Sequence, residues 1–145
     1  MSEKRSSNHA EHVPHIPRLC RYLSELSPQP MVAVDGETHV INYVNPAFTQ
    51  LVGKDRKDLI DCPFYQAVPE GIENECHVLL DRVFRTGVAE NLPEQEHRQS
   101  NRQGIYWSYV MWAILGEDQR PVGVTIQITD ATETANFRRQ AVEIN

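Results

Sequence analysis

The sequence contains few cysteines and no long hydrophobic segment. Its 145 residues include three cysteines, Cys20, Cys62 and Cys76, and none of them forms a Cys-x-x-Cys pair. An odd and sparse set of cysteines, with no recognisable signal peptide, is typical of a reducing compartment, so we expect a cytoplasmic location. No apolar run approaches the roughly 20 residues that span a bilayer, and we expect no membrane contact by this chain.

The sequence also lacks an excess of positive charge. It has 14 Lys and Arg against 20 Asp and Glu, which gives a formal net charge of −6 at pH 7. Because binding to nucleic acid phosphates needs a net basic face, this balance disfavours nucleic acid as a main partner. The catalytic signatures Gly-x-Ser-x-Gly and His-Glu-x-x-His and a phosphate-binding loop are missing too. The length predicts a single domain with a proper core.

A strand that leads directly into a capped helix is the most informative stretch of the sequence. Val40–Val44 is rich in β-branched and aromatic residues, which favour a strand. Asn45 stands at an N-cap position and Pro46 at the first helical position, where its missing N–H has no cost. Gly53 is suited to end the helix in a left-handed conformation. The apolar face of this helix consists of Phe48, Leu51 and Val52.

This stretch resembles the signature of PAS sensory domains, a strand ending in Tyr-x-Asn-Pro-Ala-Phe followed by Leu-x-Gly. The resemblance extends from Leu26 to Glu133, and Asp130-Ala-Thr-Glu133 matches the Asp-x-Thr-Glu that closes many PAS domains. It implies an α+β fold with a five-stranded antiparallel sheet and short helices on one face. It also implies an N-terminal helix and a C-terminal signalling helix.

The chain is expected to contain one domain with a segment on each side. The first residues are polar and lack periodicity, whereas Leu19, Leu23 and Leu26 recur at helical spacing. The tail after Glu133 is compatible with a helix up to its last residue, so we expect the chain to be a piece of a longer protein. The expected order is a flexible segment (1–16), a flanking helix (17–27), the PAS domain (28–133) and the start of the signalling helix (134–145).

The longest predicted strand, Ile105–Leu115, is apolar on both faces, and both faces must therefore be covered. We expect Trp107, Tyr109 and Met111 to lie on the outer face of the sheet and to form a homodimer interface. The residues Leu19 and Leu23 of the flanking helix are assigned to the same interface. Coverage of the outer face by the helix of the same chain is the alternative.

The resemblance implies a pocket between the sheet and the short helices. This pocket either binds a small molecule or is filled by its own side chains, and the residues leave both possibilities open. The residues predicted to line it are Ile41, Phe48, Leu51, Phe64, Leu80, Phe84, Val110, Trp112, Ile126 and Ile128.

One histidine suggests haem as an alternative cofactor. His77 lies on the predicted helix 72–86, eight residues before Arg85-Thr86-Gly87. In haem-binding PAS sensors the proximal histidine has a similar place, and neutral imidazole is a competent iron ligand. Where those sensors place an arginine on the next strand, this chain has Gln95, so a protein without cofactor is the first expectation.

Flavin and metal sites are not expected. Cys62 falls about two positions before the place of the flavin-adduct cysteine of light-sensing relatives, and we expect a small, buried or half-buried thiol there. Those relatives keep a glutamine where this chain has Ile128, and Gln127 is predicted to point to the opposite face. His9, His12 and His15 recur every three residues, but the intervening Pro14 argues against a metal-binding helix.

The function predicted from the resemblance is a non-catalytic sensory and dimerisation module of a signal-transduction protein, most often a sensor histidine kinase. Asp130, Thr132 and Glu133 would pass a change in the pocket or in the dimer to a covalently linked output domain. The alternatives are a haem-based gas or redox sensor and, further from the pattern, a small α+β acid–base enzyme. For that enzyme only His77 could serve, and the sequence shows no partner for it.

Overall fold

The computed structural model describes residues 22–68, 75–99 and 102–144. A short helical stretch over residues 22–26 precedes the first strand. The segment predicted to be flexible and the first part of the predicted flanking helix, with Leu19, lie outside the described residues. The elements that follow are β1 (Met31–Asp35), β2 (Val40–Val44), α1 (Pro46–Val52), α2 (Arg56–Leu59), α3 (Phe64–Ala67), α4 (Cys76–Thr86), β3 (Glu90–Gln99), β4 (Arg102–Leu115), β5 (Pro121–Asp130) and α5 (Thr132–Ile144).

Five strands form one antiparallel sheet in the order β2-β1-β5-β4-β3. β5 lies at the centre between β1 and β4, and β2 and β3 form the two edges. The helices α1 to α4 contribute buried residues to the core that covers one face of this sheet, which we call the inner face. The α+β class and the five-stranded antiparallel sheet predicted from the sequence are confirmed.

The core lies between the inner face and these helices. In β5, Val124, Ile126 and Ile128 are fully buried, while the residues between them face the other side. Ile126 lies opposite Val32 of β1 and Met111 of β4. A continuous apolar row therefore crosses three strands, which is the pattern that a sheet with one covered face produces.

The junction between β2 and α1 is held by one buried amide. Asn45 is completely buried, and its Oδ1 accepts hydrogen bonds from the backbone N–H groups of Phe48 at 3.0 Å and Met31 at 2.9 Å. Its Nδ2 donates to the carbonyl oxygens of Ser24 at 2.9 Å and Gln29 at 2.8 Å. The predicted N-cap is confirmed, and the same side chain also ties the N-terminal helical stretch to the domain.

Two glycines meet specific backbone requirements. Gly53 ends α1 with φ 70°, a left-handed conformation that costs glycine little, and its N–H donates to Thr49 O at 2.9 Å. At Gly123 a Cβ atom would lie only 2.4 Å from Val34 O. A side chain at that position would therefore push β5 away from β1.

The last helix, α5, packs on the outer face of the sheet near the start of β4. Tyr106 is buried there together with Ala131 and Ala135. Within the described segments, neither α5 nor any other helix is long and apolar enough to cross a membrane.

Candidate functional site

Helix α4 forms one wall of the core. Its buried residues Cys76, Leu79, Leu80 and Val83 follow the helical spacing of an amphipathic segment and pack in the core beneath the sheet. Burial raises the pKa of the Cys76 thiol to about 12, because the thiolate would lose its hydration. Cys76 therefore acts as a small apolar residue of the core.

Most of the predicted pocket residues lie in or against this core. Leu51 and Phe84 are partly buried and pack against the buried cluster. These side chains come from the sheet and from three helices, α1, α3 and α4, and they pack in one continuous apolar cluster. Whether a ligand can enter that cluster stays a prediction. Its fully or almost fully buried members from the predicted set are Ile41, Phe48, Phe64, Leu80, Ile126 and Ile128.

Strand β4 turns its two apolar faces the opposite way from the sequence-based prediction. Trp107, Tyr109 and Met111, which were assigned to a dimer interface, are at most 1% exposed and belong to the core. Tyr109 lies opposite Ile128 and Met111 opposite Ile126. Side chains that lie opposite each other share a face of the sheet, so these residues must point inward. Their assignment to the outer face was wrong.

Val110 and Trp112, which were assigned to the pocket, lie on the outer face instead. Val110 is 41% exposed and Trp112 is partly buried. They lie opposite Gln127 and Thr125 of β5, which face away from the helices. Because both rows of β4 are apolar, alternation alone could not distinguish inside from outside.

A buried histidine, an aspartate and a second histidine meet between the β1–β2 turn and α4. His39 has a left-handed backbone with φ 56° and is 1% exposed. Its Nε2 lies 2.6 Å from Oδ1 of Asp81. His77, one helical turn before Asp81, places its Nε2 3.7 Å from Oδ2, and the two imidazole rings meet edge to face with centroids 5.6 Å apart. We call these three residues the His39–Asp81–His77 cluster.

The contact between His39 and Asp81 connects α4 to the turn before β2. The imidazole of His39 is buried. Among the described residues, His39 Nδ1 is buried and has no hydrogen-bond partner. A carboxylate on one imidazole nitrogen and a free second nitrogen is the arrangement of an acid–base dyad. Here the second nitrogen is closed off inside the fold, where a substrate does not reach it. Sequence reasoning missed this pair because His39 and Asp81 are 42 residues apart.

The placement of His77 counts against its predicted role as a haem ligand. Its side chain is 45% exposed and lies beside the Asp81 carboxylate. An axial ligand has to project into an apolar cavity that encloses the iron, and the inward positions of α4 are occupied by other residues. In residues 22–68, 75–99 and 102–144, no three His, Cys, Asp or Glu side chains are grouped so that they could hold a metal ion.

The thiol of Cys62 lies in the connection between α2 and α3. It is partly buried, and its Sγ donates to the carbonyl oxygen of Asp58 at 3.4 Å. On β5, Ile128 lies in the core and Gln127 on the opposite side. Gln127 therefore points away from the core, as the alternation of β5 predicted.

The predicted transmission residues connect β5, β4 and the start of α5. The Thr132 Oγ1 accepts a hydrogen bond from the N–H of Tyr106 at 2.9 Å. The Thr132 N–H donates to Asp130 Oδ1 at 2.9 Å, and the Ala131 N–H donates to Tyr106 O at 2.7 Å. Glu133 is exposed in the first turn of the helix. The entry of α5 is therefore fixed to the backbone of β4.

Two arginines extend this contact along α5. The Arg139 guanidinium lies 4.9 Å from the centroid of the Tyr106 ring, and Arg138 donates to Glu94 Oε2 at 2.7 Å. Both arginines are exposed, so these interactions are weak individually. Sequence reasoning did not single out Tyr106, because its partner Thr132 lies 26 residues further along the chain.

Comparison with known proteins agrees with this architecture. A family model described as "PAS fold" matches residues 24–136. The chain belongs to the PAS family. No match was found among curated proteins.

Several solved structures have the same fold as this PAS domain. The PAS domain of BvgS from Bordetella pertussis is 16% identical with a TM-score of 0.67, and the match covers 90% of this chain and 96% of that one. A sensory box sensor histidine kinase from Vibrio cholerae is 19% identical with a TM-score of 0.56, over 86% and 97% of the two chains. An RNA-binding light-oxygen-voltage receptor is 14% identical with a TM-score of 0.72 over 88% of this chain. The match spans only 36% of that receptor.

Proposed function

We propose that this chain is a non-catalytic sensory module that passes changes in its core to helix α5. The observation that carries the proposal is the continuity of β5 and α5. Ile126 and Ile128 of β5 lie in the core, and the same strand ends at Asp130, which bonds to Thr132 at the start of α5. A shift of β5 relative to β4 would therefore change the hydrogen bonds that hold α5.

The stimulus enters this path through the core or through the dimer. A small molecule that displaces core side chains would move α4 against the sheet, and the His39–Asp81–His77 cluster would transfer that movement to the β1–β2 turn. Ligands can shift such an equilibrium only by binding one arrangement better than the other. The pocket residues described above are the candidates for that contact.

The partners in this function are a second copy of the chain and a covalently linked output domain that follows α5. Among possible outputs we favour a histidine kinase, which is supported by the similarity in fold to a sensor histidine kinase from Vibrio cholerae. The composition and the sparse cysteines support a cytoplasmic location for this module.

A non-catalytic role is supported by the positions of the two histidines of the His39–Asp81–His77 cluster. The imidazole of His39 is closed off from solvent, and its partner Asp81 is engaged with it. The second histidine, His77, is exposed at the edge of the same cluster and lies outside the apolar core. A general acid or base needs access to a substrate in a defined cavity. His39 is 1% exposed, and His77 lies at the surface beside the Asp81 carboxylate.

The contact between Thr132 and Tyr106 allows a direct test. Replacing Thr132 with valine keeps the shape of the side chain and removes the hydroxyl that holds the Tyr106 backbone. We expect amide hydrogen exchange in α5 to become faster by about tenfold. This corresponds to a decrease of about 1.4 kcal/mol in the free energy of local opening of the helix.

Thr134→Val is the matched control, because Thr134 lies on the same helix and its side chain is exposed. Exchange in β5 should be equal in both variants. If α5 exchanges at the same rate in Thr132→Val and in Thr134→Val, the proposed path through Thr132 is wrong.

A further inference from the structure

One face of α5 is packed on the sheet at its start and uncovered further along. Ala135, Arg138, Arg139 and Val142 are spaced so that they share this face of the helix. Ala135 is 5% exposed and packs with Tyr106, whereas Val142 is 71% exposed. The space between the helix and the sheet therefore widens from Ala135 towards Val142 and forms a wedge-shaped cleft, which we call the α5 cleft.

The α5 cleft has the size and the lining of a small-molecule site. Its volume is about 430 Å³, which falls within the range that is usual for ligand pockets. Such pockets combine a mainly apolar lining with a few convergent polar groups. Here an aromatic ring and two aliphatic side chains meet two guanidinium groups and one carboxylate. The described residues that line the cleft are Glu94, Tyr106, Ala135, Arg138, Arg139 and Val142.

The two guanidinium groups in the cleft retain unused hydrogen-bond donors. Arg138 donates through Nη1 to Glu94 Oε2 at 2.7 Å, and its other N–H groups can reach a second acceptor. The Arg139 guanidinium lies 4.9 Å from the centroid of the Tyr106 ring and has no carboxylate partner among the described residues. Two arginines against one glutamate make the cleft locally positive, although the formal net charge of the chain is −6.

A bulge in β3 sets the position of Glu94 at this cleft. The pairing of β3 with β4 shifts its register between Leu92 and Gln95, and Glu94 has a left-handed backbone with φ 47°. The Glu94 N–H donates to Ser108 Oγ at 3.1 Å. A positive φ is unfavourable for a residue with a Cβ atom, and bulges often redirect a side chain from the regular alternation of a strand. The strained residue thus carries the carboxylate that holds Arg138 at the cleft.

We propose that the α5 cleft binds a small amphipathic carboxylate. Its anionic group binds Arg138 and Arg139, and its apolar body lies between Tyr106 and Val142. Guanidinium groups bind carboxylates through parallel hydrogen bonds, and Arg139 supplies a group that no carboxylate of the described residues occupies. A bound molecule contacts α5 and β4 at once, so it stabilises the docked helix. This site goes beyond the function proposed above, because it lies outside the core and acts on α5 directly.

Charge and shape favour a small ligand over an acidic segment of another protein. A segment with many carboxylates would be repelled by a chain whose formal net charge is −6. A single carboxylate interacts mainly with the two guanidinium groups beside it, because more distant charges are screened by salt. The cleft also closes at the contact between Ala135 and Tyr106, which suits a compact ring better than an extended backbone.

Titration of the isotope-labelled chain with phenylacetate, followed by nuclear magnetic resonance, tests the site. Phenylacetamide has the same ring without the charge and is the matched control compound. We expect phenylacetate to shift the amide resonances of Tyr106 and of residues 135–142 with a Kd on the order of 1 mM. Phenylacetamide should bind at least tenfold more weakly. Equal binding of the two compounds, or no shift at about 10 mM phenylacetate, would overturn the proposal.

Variants locate the binding on the surface. Arg139→Gln should raise the Kd for phenylacetate at least tenfold, because it removes the unpaired guanidinium from the cleft. Arg120→Gln is the matched control, since it removes the same charge from an exposed residue between β4 and β5, and its Kd should stay within about twofold of the parent value. Both positions are exposed, so the variants are expected to fold, which circular dichroism verifies. Binding that is unaffected by Arg139→Gln would contradict the assignment to the α5 cleft.

Amide hydrogen exchange measures the effect of the ligand on α5. At a phenylacetate concentration about tenfold above the Kd, the amides of α5 should exchange about tenfold more slowly, because the ligand binds the docked helix. The same concentration should have no effect on α5 in Arg139→Gln. Binding without slower exchange would retain the site and overturn its action on the helix. The path from the core to α5 is tested by variants without ligand, so its failure and the failure of the α5 cleft are distinguishable.

Discussion

A single buried amide at the start of α1 connects three parts of the molecule. Asn45 uses all four of its hydrogen-bonding positions, two as acceptor and two as donor, and all four partners are backbone groups. The sequence predicted its N-cap role, since Asn before Pro and an apolar run is a helix-start pattern. The bonds to Ser24 and Gln29 depend on how the N-terminal segment crosses the sheet, which local patterns do not specify.

Asn45→Ala should lower the free energy of unfolding by about 3 kcal/mol, because it removes a cap and leaves buried backbone groups without partners. Urea denaturation measures this loss. Asp55→Ala is the control, since Asp55 precedes α2 without a side-chain cap hydrogen bond, and its effect should stay within about 0.5 kcal/mol. Equal losses in the two variants would show that the amide network contributes nothing beyond an exposed cap position.

The His39–Asp81–His77 cluster gives a second prediction at this scale. Asp81→Ala removes the partner of the buried His39 Nε2, so it should cost about 1–3 kcal/mol of stability. His77→Ala removes only an exposed side chain at 3.7 Å from the carboxylate and should change stability by less than about 0.5 kcal/mol. Thermal or urea unfolding compares the two. A larger loss for His77→Ala would contradict the assignment of His39 as the buried partner.

At the scale of elements, strands β4 and β5 show when alternation in the sequence predicts which side of a strand faces the core. In β5 apolar and polar residues alternate, so the inward positions of Val124, Ile126 and Ile128 followed from the sequence. In β4 both rows are apolar, and the row with Trp107 was assigned to the wrong side. Only the pairing of Met111 with Ile126 decides the question, and that pairing is a long-range property of the sheet.

Adjacent residues of β4 test this assignment directly. Met111→Ala should destabilise the fold by about 2–5 kcal/mol, because Met111 is fully buried. Val110→Ala should cost less than about 1 kcal/mol in the monomer, since its side chain is 41% exposed. Urea denaturation at low protein concentration separates the two. The reverse order of effects would restore the original assignment of the faces.

At the scale of the whole molecule, the ordered motifs were sufficient to predict the fold. Tyr43 to Phe48 and Asp130 to Glu133 carry the resemblance to PAS domains, and the sheet has the predicted number of strands. The side-chain contacts within the candidate site could not be predicted from these motifs. His39 meets Asp81, and Tyr106 meets Thr132, across long stretches of chain. Such pairs depend on how helices and strands are stacked, which periodicity does not encode.

The central claim is that a change in the core reaches α5. Leu80→Ala creates a defect in the core wall at a residue that is 1% exposed, and Val78→Ala changes an exposed residue of the same helix. Amide hydrogen exchange of α5, measured well below the melting temperature with β5 as the reference for global unfolding, compares the two variants.

We expect the amides of α5 to exchange several-fold faster in Leu80→Ala than in Val78→Ala. This increase should exceed the increase in the exchange rate of β5, which reports global unfolding. Equal exchange of α5 in the two variants would contradict the account, because the core and the output helix would then be uncoupled.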